Sequence, residues 1–378
     1  MLSALPAAIA LTAAAPAPAL PDAAAILRTT ERVADWQLAH RDTLDHMPAA
    51  KPRALDPRDW QQATFWVGMT ALADRDPRYA KPILAVGEAQ RWRLGDRPFH
   101  ADDQLIGQVW EWAARHGAGV EAIEPIKLYY AHLLAHRPTN SLAFVPNPDG
   151  SGDPPCTTRW CWCDALFMAP ATLFALGEAT GDPRYAAFAD AEFRATTEYL
   201  YDKDEHLFFR DSRFFDRRDA AGRKLFWSRG NGWVLAGLVR VLDALPSNDP
   251  RRAYYRDLFR EMAPRVAGLQ KADGYWPASL LDRAAAQPET SGTALFVYAL
   301  GRGISLGLLD RATYQPAVAR GWQALTRAIR PDGMLGWVQQ VSDRPDTASA
   351  DATQFYGSGA LLLAGSAVYD LSREERRQ

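Results

Sequence analysis

Three short stretches of the sequence contain acidic, basic or aromatic residues that could do chemistry. Two adjacent aspartates, Asp102 and Asp103, lie in "ADDQLIGQ", and Asp164 lies in "WCWCDALFM". Carboxyl groups of this kind can act as general acids and bases. The heptad "WSRGNGW", residues 227–233, places Arg229 beside tryptophan and glycine. Arginine offers a planar fork of donors for a carboxylate, and tryptophan offers a flat face that stacks on a sugar ring.

The same residues fall where helices are predicted to begin, and a helix start needs polar side chains of its own. Asp, Asn and Thr accept hydrogen bonds from the unpaired backbone N–H groups of the first turn. Capping of this kind accounts for Asp102 and Thr290. It accounts poorly for Asp164 and Arg229. Asp164 lies among tryptophans and cysteines, and neither arginine nor tryptophan side chains accept hydrogen bonds from backbone N–H groups. We therefore interpret those two residues as functional.

An internal repeat shows which elements position these residues. The motif "DPRY" occurs twice, at 76–79 and 182–185, each time between two apolar or amphipathic runs of helical spacing. Asp76 and Asp182 are predicted caps, with proline at the first helical position. The repeating unit is therefore a helical hairpin. Followed along the chain, it predicts twelve helices near 23–46, 61–74, 77–93, 103–115, 120–136, 164–180, 183–201, 230–244, 250–270, 290–306, 311–329 and 354–372.

Twelve helices in six hairpins predict an all-α fold, an (α/α)6 barrel. The second members of the pairs are amphipathic, whereas the helices that start near 61, 103, 164, 230, 290 and 354 are apolar on all sides, as inner helices must be. Inner helices of such a ring run in the same direction. Their N-terminal ends, which carry the candidate residues, are therefore expected to meet at one mouth of the barrel, where the helix dipoles favour an anionic ligand.

Composition limits the classes of partner. The formal net charge of −2 and the absence of a basic face argue against nucleic acid, and no later stretch is long and apolar enough to span a membrane. Thirteen tryptophans exceed the needs of an ordinary core and suit sugar binding. Residues 1–19 form an apolar run that ends in a small-x-small pattern, typical of a secretory signal although it lacks a basic start. We expect residues 20–378 to form a single catalytic domain, periplasmic or secreted, or cytoplasmic if the signal is not used.

Three cysteines, Cys156, Cys161 and Cys163, lie within eight residues. One disulfide among them is compatible with an oxidising compartment. Zinc is the alternative, which we rank low because no histidine lies nearby at ligand spacing. No metal and no organic cofactor is expected.

Four motifs in order resemble glycoside hydrolase family 105, the unsaturated rhamnogalacturonyl hydrolases. They are "ADDQLIGQ", "CDALFMAPATLFALGEATGDPRY", "FWSRGNGWVLAGLVRVLDALP" and "PETSGTALFVYAL", within a similarity that runs from about residue 60 to 365. The resemblance implies an (α/α)6 barrel and, as substrate, oligosaccharides from pectin lyases that end in a 4,5-unsaturated galacturonate.

The resemblance also implies roles for individual residues. Asp164 matches the general acid and base, and Asp103 matches the second carboxylate. Where many relatives have a histidine, this chain has Arg210. The full set of predicted substrate contacts is Trp227, Arg229, Asn231, Trp233, Arg210 and Thr290.

The predicted chemistry is hydration of an enol ether rather than ordinary glycoside hydrolysis. One positioned acid that returns as a base is sufficient for it. An unsaturated glucuronyl hydrolase that acts on glycosaminoglycan or other lyase products is the alternative within enzymes, and a non-catalytic glycan-binding protein is the alternative outside them. Fold alone does not decide between these functions. The sequence leaves the oligomeric state open.

Overall fold

The fold is described by a computed structural model that covers residues 19–47 and 50–376. The predicted signal segment, 1–19, lies outside this range except for Ala19. A two-stranded antiparallel sheet pairs β1 (Tyr201–Asp202) with β2 (Leu207–Phe208). The α-helices are α1 Ala23–Ala39, α2 Trp60–Ala73, α3 Ala80–Ala89, α4 Ala101–Gln104, α5 Gly107–Ala113, α6 Glu124–Ala135, α7 Ala165–Met168, α8 Pro170–Thr180, α9 Pro183–Leu200, α10 Ser228–Ala244, α11 Arg252–Gly268, α12 Thr290–Ser305, α13 Arg311–Arg327 and α14 Phe355–Glu375.

Six inner helical segments close a ring. In order around it, α2 packs on α5, α5 on α8, α8 on α10, α10 on α12, α12 on α14, and α14 returns to α2. The outer helices pack behind them, with α1 against α14, α9 against α8, α11 against α10 and α13 against α12. Except for Trp60 and Ala71, every residue of α2 is buried, because this helix is enclosed on all sides. The predicted (α/α)6 barrel is confirmed.

The repeated hairpin has the predicted caps. The Asp76 carboxylate accepts a hydrogen bond from the Arg78 N–H, and the Asp182 carboxylate accepts one from the Arg184 N–H, both at 3.0 Å. A proline follows each aspartate at the first helical position, where its missing N–H costs nothing. The sequence therefore defines where these two helices begin.

Two inner helices are broken, which the sequence analysis did not predict. The predicted helix 103–115 is divided into α4 and α5, and the predicted helix 164–180 is divided into α7 and α8. In the second case Pro170 begins the new segment, and proline can neither donate a backbone hydrogen bond nor fit beside the carbonyl four residues earlier. In each case the short first segment, α4 or α7, lies at the start of the broken helix, next to the candidate aspartates.

Long connections lead into the inner helices and lie at the mouth where those helices begin. The connection between α6 and α7 contains the disulfide Cys156–Cys161, which leaves Cys163 as a buried free thiol. This is the single disulfide that the sequence allowed. No helix in the described ranges combines the length and the apolar composition needed to cross a bilayer.

Candidate active site

A cavity of about 470 Å³ opens at the mouth formed by the N-terminal ends of the inner helices. Its wall includes three aromatic side chains, Trp60, Phe144 and Trp162, and a mixture of acidic and basic groups. The polar lining residues are Lys51, Arg53, Asp59, Gln61, Arg97, His100, Asp102, Asp153, Thr157 and Arg210. The predicted convergence of chemistry at one mouth is therefore present, although several of its residues differ from those predicted.

Asp164 lies at the N-cap position of α7, but its side chain makes no capping hydrogen bond. The carboxylate is buried, accepts a hydrogen bond from the Cys163 thiol at 3.4 Å, and lies 3.8 Å from Nε of Arg210. Burial raises the pKa of Asp164 above its ordinary value, and the positive charges of Arg210 and Arg229 oppose that increase. The carboxyl group of Asp164 is therefore buried and does not cap the helix that it begins.

Arg210 is one of three arginines that line the cavity, with Arg53 and Arg97. Its Nη1 donates to the Asp211 carboxylate at 2.7 Å, and its Nε is buried without a hydrogen-bond partner. The guanidinium lies 5.8 Å from the centre of the Phe144 ring. An unpaired donor on a partly exposed arginine is suited to an anionic ligand.

The two adjacent aspartates have different environments. The Asp103 carboxylate accepts hydrogen bonds from Nε of Arg97 and Nη2 of Arg53, each at 3.0 Å, and from the Arg97 N–H at 2.8 Å. Asp103 is thus paired with two arginines that line the cavity and is not itself among the lining residues, and its role as the second carboxylate stays a prediction. Asp102, which we attributed to capping, lines the cavity instead.

Asp102 has the environment of a neutral acid. Burial raises its pKa to about 8; the positive charge of Arg97 opposes this increase, and the negative charges of Asp59, Asp103 and Asp164 add to it. The cap of α4 is His100, whose Nδ1 accepts from the Asp102 N–H at 3.3 Å. Burial lowers the pKa of His100 to about 3, so this imidazole is neutral and can act as an acceptor.

The heptad 227–233 supports the mouth from behind rather than forming its wall. Arg229 has no exposed surface, and its Nη1 and Nη2 donate to the carbonyls of Gln339 and Gln340 at 2.7 and 3.0 Å. Its guanidinium lies between the rings of Trp227 and Tyr356, 4.3 and 4.8 Å from their centres. The predicted contact between Arg229 and a substrate carboxylate is corrected, because its terminal donors are engaged with the backbone.

Four further predicted contacts also belong to the framework. Trp227 is 2% exposed and donates through Nε1 to the Gln339 side chain at 2.9 Å. Asn231 is buried and exchanges hydrogen bonds with the backbone of Phe208 at 2.7 and 3.0 Å. Trp233 packs on Phe167 in the core, and the Thr290 hydroxyl donates to a carbonyl at 2.9 Å. None of these side chains is among the residues that line the cavity, and Asp164 is not among them either, so these substrate contacts stay predictions.

Sequence reasoning missed other lining residues. Trp60 and Phe144 lie far from the motifs, and Lys51 and Arg53 lie before α2, Arg53 within the short 3-10 helix Pro52–Leu55. Only His100 had a usable signal, since it precedes "ADDQ" by one position. Within the described residues, no group of three or more His, Cys, Asp or Glu side chains is placed to hold a metal ion.

Comparison with known proteins adds to this geometry. The family model described as Glycosyl Hydrolase Family 88 matches residues 29–372. The chain belongs to glycoside hydrolase family 88. The hydrolase is 37% identical over 348 residues to an unsaturated 3S-rhamnoglycuronyl hydrolase from Alteromonas sp. (strain LOR), covering 90% of this chain and 84% of that protein. A protein of the same name from Formosa agariphila is 38% identical over 335 residues, covering 84% and 86%.

Solved structures agree with the fold of the hydrolase. A glycosyl hydrolase family 88 protein from Bacteroides vulgatus superposes with a TM-score of 0.79 at 25% identity, covering 93% of this chain and 99% of that one. A protein named Polysaccharide Lyase BACCELL_00875 gives a TM-score of 0.76 at 28% identity, covering 94% and 99%. A possible family 105 member from Salmonella enterica gives 0.72 at 17% identity, covering 93% and 95%, which supports the predicted resemblance at the level of the fold.

Proposed function

We propose that this hydrolase removes a terminal 4,5-unsaturated uronate from the oligosaccharides that polysaccharide lyases leave. The observation that carries the proposal is Asp164, a buried acid with a raised pKa that neither caps its helix nor forms a close ion pair, beside an arginine with an unpaired donor. The names of the two curated relatives support the same substrate class.

The reacting group is the C4=C5 double bond, which is an enol ether because C5 carries the ring oxygen. Asp164 donates its proton to C4, and the positive charge that forms is shared by C5 and the ring oxygen. Water then adds to C5 and returns a proton to the Asp164 carboxylate. The hemiketal that forms opens to a ketone at C5, and the neighbouring sugar leaves from C1. One carboxyl group that acts first as acid and then as base completes the cycle.

Arg210 is the proposed ligand for the uronate carboxylate. Its free Nε faces the same buried region as Asp164, at 3.8 Å from Oδ2. A carboxylate on C5 that binds there would bring C4 close to the acid. The aromatic side chains of Trp60, Phe144 and Trp162 provide apolar surface for the sugar rings.

Asp102 is proposed to take the place that the sequence gave to Asp103. With a pKa of about 8 it is protonated at neutral pH, and it can donate a hydrogen bond to a sugar hydroxyl without repelling the substrate carboxylate. Its neutral form also adds no negative charge beside Asp164 at the moment of proton transfer.

The identity of the uronate is less restricted than the sequence suggested. Galacturonate and glucuronate differ only in configuration at C4, and the double bond removes that centre, so both give the same unsaturated residue. What distinguishes substrates is the linkage at C1 and the next sugar. The curated relatives are named for a rhamnoglycuronyl unit. We therefore propose rhamnose as the neighbouring sugar and extend the source beyond pectin.

The decisive experiment follows the ultraviolet absorbance of the conjugated uronate. Turnover of an unsaturated rhamnose-linked disaccharide should make the absorbance fall, and the rate should be lower in heavy water because protonation at C4 belongs to the slow step. The saturated counterpart should bind without being cleaved. Cleavage of both at comparable rates would indicate ordinary glycoside hydrolysis, and rising absorbance on an intact polysaccharide would indicate a lyase.

Two further measurements address the alternatives. Asp164→Asn should abolish turnover and leave calorimetric binding of the disaccharide largely intact, whereas a glycan-binding protein would show no turnover to lose. In a panel of lyase-derived disaccharides, the rhamnose-linked members should react fastest. A preference for hexosamine-linked members would favour the unsaturated glucuronyl hydrolase that acts on glycosaminoglycans.

Export is part of the proposal. It is supported by the apolar N-terminal run and by the Cys156–Cys161 disulfide, a pairing typical of oxidising compartments. Mass spectrometry of the protein from a periplasmic fraction should find a mature chain that begins near residue 20. An unprocessed chain in the cytoplasm would contradict it.

A further inference from the structure

Cys163 lies where three parts of the site meet. Its N–H donates to the Arg210 carbonyl at 2.9 Å, and its thiol donates to Oδ2 of Asp164 at 3.4 Å. Gly230, near the start of α10, approaches the thiol so closely that a Cβ there would lie 3.0 Å from the sulfur. The cysteine is therefore held between the loop of Arg210, the acid and α10.

The thiol is the side-chain hydrogen-bond donor that the described structure gives to Asp164. The carboxylate does not cap α7, and its nearest cationic nitrogen, Nε of Arg210, lies at 3.8 Å. Burial raises the pKa of the Cys163 thiol well above its ordinary value, so the group keeps its proton and stays a donor. The other two cysteines are paired with each other and leave this thiol free.

We propose that Cys163 is a positioning residue that fixes the rotamer of the Asp164 carboxyl group, holding Oδ2 and leaving Oδ1 for the substrate. The inference rests on the proposed role of Asp164. A thiol suits this task because it is a weak donor. A strong donor would stabilise the carboxylate and lower the pKa of Asp164, so that less of the group would carry a proton near neutral pH. The weaker thiol restrains the carboxyl group with a smaller effect on its pKa.

Two substitutions separate the donor from the packing. Cys163→Ala removes the donor, and Cys163→Ser keeps a donor of greater strength. With the unsaturated disaccharide, we expect Cys163→Ala to lower kcat by about 2- to 10-fold, the scale of one neutral hydrogen bond, with KM unchanged. Cys163→Ser should stay within about 3-fold of wild type, because the restraint is retained.

The pH profile of kcat/KM gives a readout that a purely structural role would not move. Activity requires protonated Asp164, so it is lost as pH rises through the pKa of that group. Loss of the donor in Cys163→Ala should move this basic limb to higher pH, and the stronger donor in Cys163→Ser should move it to lower pH. Limbs that coincide with wild type, or that move in the same direction, would overturn the proposal.

A spectroscopic test needs no cysteine variant and remains valid if those variants fold poorly. The chain has one thiol, so its infrared S–H stretching band belongs to Cys163. The band should shift to higher frequency in Asp164→Ala, where the acceptor is absent, and an unmoved band would contradict the contact. If wild-type protein does not consume the unsaturated disaccharide, the proposed function itself fails. If it does and the variants behave as wild type, only the role of Cys163 fails.

Discussion

Nε of Arg210 lies 3.8 Å from Oδ2 of Asp164, buried, and forms no hydrogen bond. Burial raises the pKa of Asp164, and the positive charge of Arg210 is near enough to lower it in part, but the two side chains form no hydrogen bond. On the proposed mechanism one substrate engages both groups, the arginine through its carboxylate and the aspartate through the carbon beside it.

Arg210→Gln should weaken catalysis of the unsaturated disaccharide by removing the ligand of the uronate. The expected loss in kcat/KM is about 1.5 to 3 kcal/mol, the value of one hydrogen bond to a charged group. Methyl esterification of the uronate should cost the wild type a similar amount and cost the variant little. Equal rates with ester and acid in wild type would show that Arg210 does not bind the carboxylate.

Arg229→Gln is the matched control for that substitution. Arg229 is buried against the carbonyls of Gln339 and Gln340, so its loss should lower the melting temperature. The ratio of rates with acid and ester should remain that of wild type. If the preference for the acid over the ester disappears in Arg229→Gln but not in Arg210→Gln, the carboxylate is bound by the heptad 227–233 instead.

If Asp102 takes part in the reaction, the fall in activity at alkaline pH should depend on two protonated groups, Asp102 and Asp164. Its raised pKa of about 8 means that the protonated form is present below that pH and is lost above it. If Asp102 and Asp164 must both be protonated, log kcat/KM of wild type should fall with a slope near two on the alkaline side. In Asp102→Asn, kcat should be about 10- to 100-fold lower, and the slope should be near one. A wild-type slope of one that the substitution leaves unchanged would exclude Asp102 from the reaction.

Glu111→Gln should stabilise the protein, and the gain should grow with pH. Glu111 is 4% exposed, and its Oε1 has no hydrogen-bond partner. Burial raises its pKa well above the ordinary value, so its contribution to stability is present at low pH and is lost as pH rises through the folded-state pKa. Thermal unfolding at several pH values tests this, with exposed Glu178→Gln as the control. A gain that is the same at every pH would contradict the raised pKa.

Gly359→Ala should destabilise the closure of the ring. A Cβ on Gly359 would lie 2.3 Å from the Thr64 carbonyl oxygen, so α14 and α2 approach each other only because the residue is glycine. Separating two packed helices should cost about 1 to 3 kcal/mol or more, measured by denaturant unfolding. Gly268→Ala in α11, with no atom within 4 Å of the new Cβ, should be neutral or slightly stabilising. Similar effects at both positions would show that the ring closes in another way.

The sequence by itself determined the barrel and was enough to select Asp164 as the candidate acid. Helices that are apolar on all sides must be enclosed, and twelve alternating helices leave a closed double ring as the arrangement that encloses six of them. The caps at Asp76 and Asp182 act over two residues, so local chemistry predicts them. Asp164 was predicted because an aspartate among tryptophans and cysteines has no ordinary reason to begin a helix.

Only the tertiary structure decided which neighbours face the cavity. Asp102 and Asp103 are adjacent on a helix, so their side chains point about 100° apart. Asp103 is held by Arg97 and by Arg53, and Arg53 comes from a segment fifty residues earlier in the chain. Arg229 and Arg210 also differ in whether they face the cavity. The carbonyls of Gln339 and Gln340, more than a hundred residues later in the chain, accept the hydrogen bonds of Arg229. Residue types are local, but burial and ion pairing depend on contacts between distant parts of the chain.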